Sequence, residues 1–571
     1  MPTLKTLADA LDEGSASGAG YTFLGDAGAR TRSYAEVRIA AREAAAGLRA
    51  AGLERGDVVA LVIGDAEQFL ATLLGAALAG VVPASLYPPS PTADLPQFFE
   101  ATAPVLAAAE ARAVVTTAAF APGFRALRSQ QPNLEFVLTP DECRAGLSRP
   151  GRAGLSGPPD QSAIDDWRPS LDDVAFIQFT SGSTSMPRGV TVTHRNLAAN
   201  IQGIHGPSGL DVTPEDVGVS WLPLYHDMGL VGMSLGGLYS GRPVTLMPPE
   251  MFVKRPVEWL RAITRYRATV SYAPNFAYEL CVRRVKDRDL DGLDLSTWRV
   301  AGCGAEPINA ATLIAFADKF ACAGFRAESF VPSYGLAEHV LAATFGVRQR
   351  ALRIDVVSAD ALSDSRVAVP AHPDDATAIR LVSCGHPLPG HALRIVADAG
   401  SEAGEREVGE IALAGPSVMR GYYKDPESTA LAIRDGWLHT GDLGYLSEGE
   451  LFVCGRLKEL IVINGRKYHP QDLEWSVERL PGVKRGRVAA FGAGEPPRAV
   501  IVAEPAGTVP AASLIAEIRR IIGDRFGLPL GDVVLVPGGT IGRTTSGKVR
   551  RTALQASYLR GELAEYVGRT S

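Results

Sequence analysis

FTSGSTSMPRG, residues 179–189, is the most informative stretch of this chain. Thr180, Ser181, Ser183 and Thr184 supply four hydroxyls, and Gly182 and Gly189 permit a tight turn with exposed backbone N–H groups. Arg188 adds a cation. Small side chains, N–H donors and one positive charge are what a polyphosphate requires. The same composition also describes an ordinary Ser/Gly surface turn. G-x-x-x-x-G-K followed by Ser or Thr is absent, and the stretch joins two strand-like segments, VAFIQFT (174–180) and VTVT (190–193). A P-loop ATPase or kinase therefore lacks its structural context.

Outward from this turn the chain alternates strand and helix patterns. VVALVI (58–63) is a wholly apolar strand followed by a buried helix from Phe69 to about Gly80. ATVSYAP (268–274), WRVAGCG (298–304) and SFVPSYG (329–335) are further strands, with a helix over NAATLIAFADKF (309–320). This succession predicts an α/β fold with a mostly parallel, helix-covered sheet. Residues 381–415 read instead as strands with turns, as in a small β-barrel. After Cys454 a compact α+β unit begins, in which Leu514, Ile518, Ile521, Ile522 and Phe526 form one apolar helical stripe. The expected organisation is a large domain over 1–455, a junction at 456–458, and a small mobile domain over 459–571.

With 571 residues, two or more domains are the default. The net charge of −6 argues against a nucleic-acid surface. Six dispersed cysteines and nine histidines show no metal-ligand or disulfide spacing, so reduced thiols and a cytoplasmic location are expected. MPTLKTLADALDEG has acids where a signal peptide needs an apolar core. The uncharged stretch 69–87 is broken at Pro83 and reads as a buried helix running into a strand, so no membrane insertion is expected.

The 179–189 turn is the first of eight motifs. WLPLYHDMGL (221–230), GAEP (304–307), SYGLAE (333–338), GYYKDPEST (421–429), WLHTGDLG (437–444), GRLKELI (455–461) and TTSGKVRR (544–551) follow in order. Together they resemble the adenylate-forming superfamily of acyl-CoA synthetases, peptide-synthetase adenylation domains and luciferases. The resemblance spans essentially the whole chain and implies ATP as cosubstrate. Nucleotide contacts are carried over to Thr180, Ser181, Gly182, Ser183, Thr184, Gly304, Ala305, Glu306, Tyr334, Gly335, Leu336, Asp442 and Arg456. Glu338 resembles the magnesium ligand, since a carboxylate with phosphate oxygens suits that hard cation. Tyr334 would offer a face to adenine, and Asp442 would accept both ribose hydroxyls with Arg456 in support. His226 resembles the histidine that closes the carboxylate pocket, and Lys548 the catalytic lysine that neutralises the transition state. Lys458 matches the hinge. Ser185, Arg188 and Gly542 depart from the usual glycine, lysine and proline, which bears on rate and loop stiffness.

FIQFTSGSTSMPRGVTVTHRNLAANI, SWLPLYHDMGLVGM, SYAPNFAYELC and GRKYHPQDLE resemble the fatty acyl-AMP ligases in particular. Residues 347–380 match the place of the insertion that sets that group apart, and Val356, Val357, Leu362, Val367 and Val369 give it apolar side chains with which to dock. The acyl pocket is expected beyond His226, at Gly229, Gly232, Gly236 and Asn275, although glycine-mediated helix packing accounts for those glycines equally well. The implied activity is activation of a medium-to-long-chain fatty acid to acyl-AMP. The acyl group would then pass to the phosphopantetheine thiol of a separate acyl carrier protein. The alternative is a fatty acyl-CoA ligase.

Overall fold

The computed structural model describes residues 3–89, 94–145, 167–180, 187–375, 377–398, 400–507, 510–543 and 549–564. The wholly buried strand Val58–Val62 lies in a seven-stranded sheet, parallel to Val82–Ser85 on one side and Ala113–Thr116 on the other. With both faces covered, every residue of such a strand can be apolar. Val174–Thr180 joins Val82–Ser85 in parallel, but Arg188–Thr193 folds back antiparallel on it. A second sheet of nine strands has a parallel centre: Gly20–Gly25, Val244–Leu246, Gly218–Ser220, Val270–Ala273, Val300–Cys303 and Phe330–Gly335. The helix-covered, mostly parallel strands expected from the pattern are thus divided between two sheets. The pattern records strands and not their neighbours.

One apolar cluster joins the two sheets, with Tyr21 and Leu246 from one and Val59, Leu61 and Phe176 from the other. Its centre is the helix Ala66–Ala79, capped by the Asp65 side chain on Gln68 N–H and stopped by Gly80 in the left-handed conformation. Its alanines and Gly75 let the helix Tyr34–Ala50 approach, since a Cβ on Gly75 would lie 2.7 Å from the Ala41 carbonyl oxygen. The uncharged stretch is thus interior packing. Among the described residues no helix is long and apolar enough to cross a membrane.

The strands Ala392–Val396 and Gly409–Ala414, expected in a small barrel, join Ile433–Arg434, Trp437–Ser447 and Glu450–Arg456 in a five-stranded antiparallel sheet. Beyond it, Val483–Ala493, Arg498–Pro505 and Leu530–Leu535 form a separate sheet covered by the helices Pro470–Val477, Ala511–Phe526 and Arg551–Leu559. Leu514, Ile518, Ile522 and Phe526 are buried as the stripe requires, and Ile521 is partly so. The molecule thus has a large N-terminal domain and a smaller C-terminal one.

Residues 347–380 fold into the strand Ile354–Val357 and the helix Ala359–Asp364, the former paired with Ile379–Val382. Val357 and Leu362 are buried in a cluster shared with Tyr468, Leu473 and Phe526 of the smaller domain. Val356 and Val367 are half-buried, and Val369 is exposed. Arg466 adds ion pairs of 2.5 Å to Asp360 and to Asp364, and Arg525 donates to the Ala378 carbonyl at 2.9 Å. The two carboxylates are more than half exposed, so the apolar contact carries most of this docking.

Candidate active site

Parallel strands align their carboxyl ends, so the loops that follow them gather at one edge of a sheet. The ends of Gly218–Ser220, Val270–Ala273, Val300–Cys303 and Phe330–Gly335 thereby bring together the His226 loop, Asn275, Gly304–Glu306 and Gly335–Glu338. The Glu306 carboxylate accepts from Phe276 N–H at 2.6 Å, and the Asn275 side chain accepts from Asn309 N–H at 3.0 Å. Ala305 between them has φ +69°, a left-handed conformation that costs a non-glycine residue about 1 kcal/mol or more. From the other sheet, Gln178 donates to the Tyr225 carbonyl at 2.8 Å and so fixes the backbone beside His226.

Asp442 lies in the hairpin of Trp437–Ser447 and Glu450–Arg456, whose register sets it opposite Arg456. Arg456 Nε donates to its Oδ1 at 2.8 Å, and the Tyr334 hydroxyl donates to Oδ2 at 2.9 Å. Asp442 is 6% exposed, and its negative charge holds the Arg456 guanidinium above its ordinary pKa. Burial, then the neighbouring carboxylate, pushes the Tyr334 phenol well up, so it remains a donor. Each carboxylate oxygen retains a lone pair for a further hydroxyl. Tyr334, expected to present a ring face to adenine, stands beside Asp442 and donates its hydroxyl to it.

Glu338 stands in the one-turn helix Ala337–His339 just after the strand carrying Tyr334. The Tyr422 hydroxyl donates to its Oε1 at 2.9 Å, and the Arg188 guanidinium lies 5.3 Å from the centre of the Tyr422 ring. Tyr422, Arg188 and Glu338 therefore form one group. Its strand Gly421–Tyr422 pairs with Arg188–Thr193, which ties the carboxylate to the 179–189 segment. The turn after Glu338 is strained at Val340, with φ +67°. Asn200 holds it, donating to the carbonyls of His339 and Ala342 and accepting from Ala342 N–H. Burial lowers the pKa of His339 to about 3, so its ring is a neutral part of this support.

His226 is one-third exposed, with Nδ1 3.6 Å from the Asp227 carboxylate. The following residues Met228–Leu235 form a π-helix, a widened turn found mostly at functional sites. Sequence periodicity had no means of showing it. A Cβ on Gly229 would strike the Pro223 carbonyl, and one on Gly236 would lie 2.9 Å from His205 Nε2. A Cβ on Gly232 would meet only Leu341 Cδ2, at 2.9 Å. Gly229 and Gly236 thus admit close neighbours.

Thr180 ends its strand, with its hydroxyl 3.5 Å from the Arg188 carbonyl. Gly335 touches the Leu341 backbone where a Cβ would collide, and Leu336 is half-buried. Lys458 lies in the one-turn helix Leu457–Glu459. Ser181, Gly182, Ser183, Thr184 and Lys548 fall outside the described residues. The sequence reading missed the role of Arg551, the last residue of the lysine motif. It is 15% exposed by side chain and bridges Glu474 through two 2.7 Å bonds and Glu459 through one of 2.6 Å. Burial and these carboxylates act on it in opposite senses, and the carboxylates prevail, so it stays charged.

The family model described as AMP-binding enzyme matches residues 12–423. The chain belongs to the AMP-binding enzyme family. Among its relatives, a provisionally named acyl-CoA synthetase of Caulobacter vibrioides is 36% identical over 92% of this chain and 90% of its own. The medium-chain-fatty-acid–acyl-carrier-protein ligase JamA of Moorena producens is 33% identical over 100% of this chain and 97% of its own. A structure from a study of fatty acyl-adenylate ligases of E. coli and L. pneumophila superposes with a TM-score of 0.90. It is 35% identical and covers 97% of this chain and 98% of its own. As an AMP-binding enzyme, this chain needs a nucleotide site, and a buried carboxylate flanked by a phenol and a guanidinium suits a ribose.

Proposed function

We propose that this AMP-binding enzyme activates a medium-to-long-chain fatty acid with Mg-ATP to acyl-AMP and then acylates the phosphopantetheine thiol of a separate carrier protein. The reading is carried by the strand Phe330–Gly335 and the turn after it, which present Tyr334 to Asp442 and then Glu338 to Tyr422. A ribose anchor and a polyphosphate-facing carboxylate are thereby spaced along one edge. The names of JamA and of the superposed ligases supply the substrate class.

In the first half-reaction a carboxylate oxygen bonds to the α-phosphorus as the bond to pyrophosphate breaks. In the second the thiol sulfur bonds to the acyl carbon, its proton is lost, and AMP leaves. Glu338 fits magnesium held by one carboxylate, phosphate oxygens and water, because Oε1 alone is taken by Tyr422. No group of three or more His, Cys, Asp or Glu among the described residues would form a metal cage. The ion would supply charge neutralisation on the phosphates. Lys548 is assigned the α-phosphate, 181–184 the remaining phosphate oxygens, and 456–458 the hinge.

The assignment of 347–380 as the acyl-AMP ligase insertion is supported by its docking on the smaller domain, which would bias how that domain settles after adenylation. CoA and a phosphopantetheinylated carrier protein, supplied separately with ATP, Mg²⁺ and fatty acid, separate the two acceptors. Acyl-AMP should persist with CoA and be consumed by the carrier, followed by mass spectrometry. The name of the Caulobacter relative favours the other acceptor, and rapid stoichiometric acyl-CoA formation would establish it.

A further inference from the structure

Residues 456–571 contain 18 Lys and Arg against 11 Asp and Glu, whereas residues 1–455 contain 39 against 52. A chain of net charge −6 is thus an acidic body of −13 bearing a basic unit of +7. Some of that basic charge seats the unit on the body: Arg466 meets Asp360 and Asp364, and Lys467 meets Asp398. Lys484, Arg485, Arg487 and Arg550 do something else. Among the described residues, no ion pair joins any of them to a carboxylate of residues 1–455.

We infer that Lys484, Arg485, Arg487 and Arg550 form the docking surface for an acidic face of the carrier protein. The inference rests on the carrier-acceptor reading above.

Backbone carbonyls hold the arginines around the 484–487 turn in place. Arg487 donates to the Ile541 carbonyl at 2.6 Å, and Arg543 donates to the Gly486 carbonyl at 3.0 Å. Among the described residues, Glu504 pairs with the face, 3.3 Å from Lys484 and 3.9 Å from Arg487. It is fully buried and also accepts from Gly539 and Ile541 N–H. Glu478 is nearby, but burial pushes its carboxyl up to about 8, so at pH 7 it is mostly neutral. Lys484, Arg485 and Arg550 are exposed.

The face also adjoins the residues that flank 544–548. Arg543 and Val549 form a β-bridge, and Arg550 N–H donates to the Gly542 carbonyl at 3.0 Å, which sets these flanking residues beside the 484–487 turn that Arg543 bonds. A partner seated here would bring a flexible thiol arm to that motif. The net negative charge of residues 1–455 disfavours an acidic partner there, so complementarity favours this face in both place and encounter rate.

The test uses the full chain with an acidic phosphopantetheinylated acyl carrier protein, and the variants Arg485→Glu and Lys484→Glu/Arg485→Glu. Pyrophosphate release without carrier, and acyl transfer to free pantetheine, should match wild type. KM for the carrier should rise about tenfold in the double variant, lose most of its salt dependence, and recover with a carrier whose docking acids are changed to lysine. The single variant serves if loss of the Lys484–Glu504 pair lowers the melting temperature. An unchanged carrier KM in a double variant that melts like wild type would overturn the inference. So would lost binding to phosphatidylcholine–phosphatidylglycerol vesicles with an unchanged carrier KM. A wild-type enzyme that acylates pantetheine but no carrier would instead remove the reading beneath it.

Discussion

Asp442 and Glu338 each keep company with a tyrosine hydroxyl, and that pairing is where single-residue changes should be most informative. Asp442→Ala deprives a ribose of a charged acceptor worth roughly 1.5–3 kcal/mol per bond, so ATP affinity should fall at least about tenfold by calorimetry. Unchanged affinity would remove Asp442 from the nucleotide site. Because Arg456 would be left without its carboxylate, Asp442→Asn is the gentler companion variant. Tyr422→Phe deletes the bond to Glu338 and should raise several-fold the Mg²⁺ concentration giving half-maximal pyrophosphate release, with little change at saturating Mg²⁺. Equal Mg²⁺ dependence would show that the hydroxyl does not orient the carboxylate. Lys548→Ala should slow pyrophosphate release by about 10²-fold or more, the usual consequence of deleting one preorganised charge. The motif spellings pointed to Asp442, Arg456 and Glu338. They did not show that Tyr334 and Tyr422 are the donors holding them, because both contacts join segments 84 to 108 residues apart.

Among the elements, the π-helix after His226 and the anchor of the lysine motif were beyond sequence periodicity. Gly229 sits where a Cβ would strike the Pro223 carbonyl, so Gly229→Ala must push the π-helix from its loop. Overpacking of this kind typically costs about 1–3 kcal/mol, readable as a lower denaturation midpoint. An alanine variant as stable as wild type would mean that the turn relaxes freely. Arg551 couples the start of the last helix to Glu474 and to Glu459, the neighbour of Lys458. Removing one partner of a buried ion group commonly costs about 3–5 kcal/mol. The apolar stripe of Ala511–Phe526 was legible because a 3.6-residue period repeats four times. Arg551 was not, because one arginine among many in a basic stretch carries no period.

For the whole molecule, the seam between the 347–380 segment and the smaller domain contains titratable groups with opposite effects. Asp472 and His469 line it together with Leu362, Tyr468 and Phe526. Burial raises Asp472 to about 7, so the folded state holds its proton between about pH 4 and 7 where the unfolded chain does not. Its contribution to stability is present below about pH 4 and lost as pH rises through 7. Burial lowers His469 to about 4, so its contribution is present above about 6.5 and lost as pH falls through 4. Asp472→Asn should therefore gain on wild type by roughly 4 kcal/mol between pH 4 and pH 8, measured by denaturant melts at both. A constant difference would place Asp472 in contact with water.

Local pattern determined the elements and the candidate chemistry of this protein. The wholly apolar runs read as buried strands and the amphipathic stripe as a surface helix, since each rests on residues close together in the chain, while the candidate nucleotide residues came from the resemblance carried by the spaced motifs. Tertiary structure alone decided how the strands divide between the two sheets, that Val357 and Leu362 attach the 347–380 segment to the smaller domain, and that Gly229 and Gly236 have neighbours close against them. Burial and pairing between distant segments depend on which surfaces meet, and a glycine in sequence looks the same whether it lines a tunnel or admits a carbonyl.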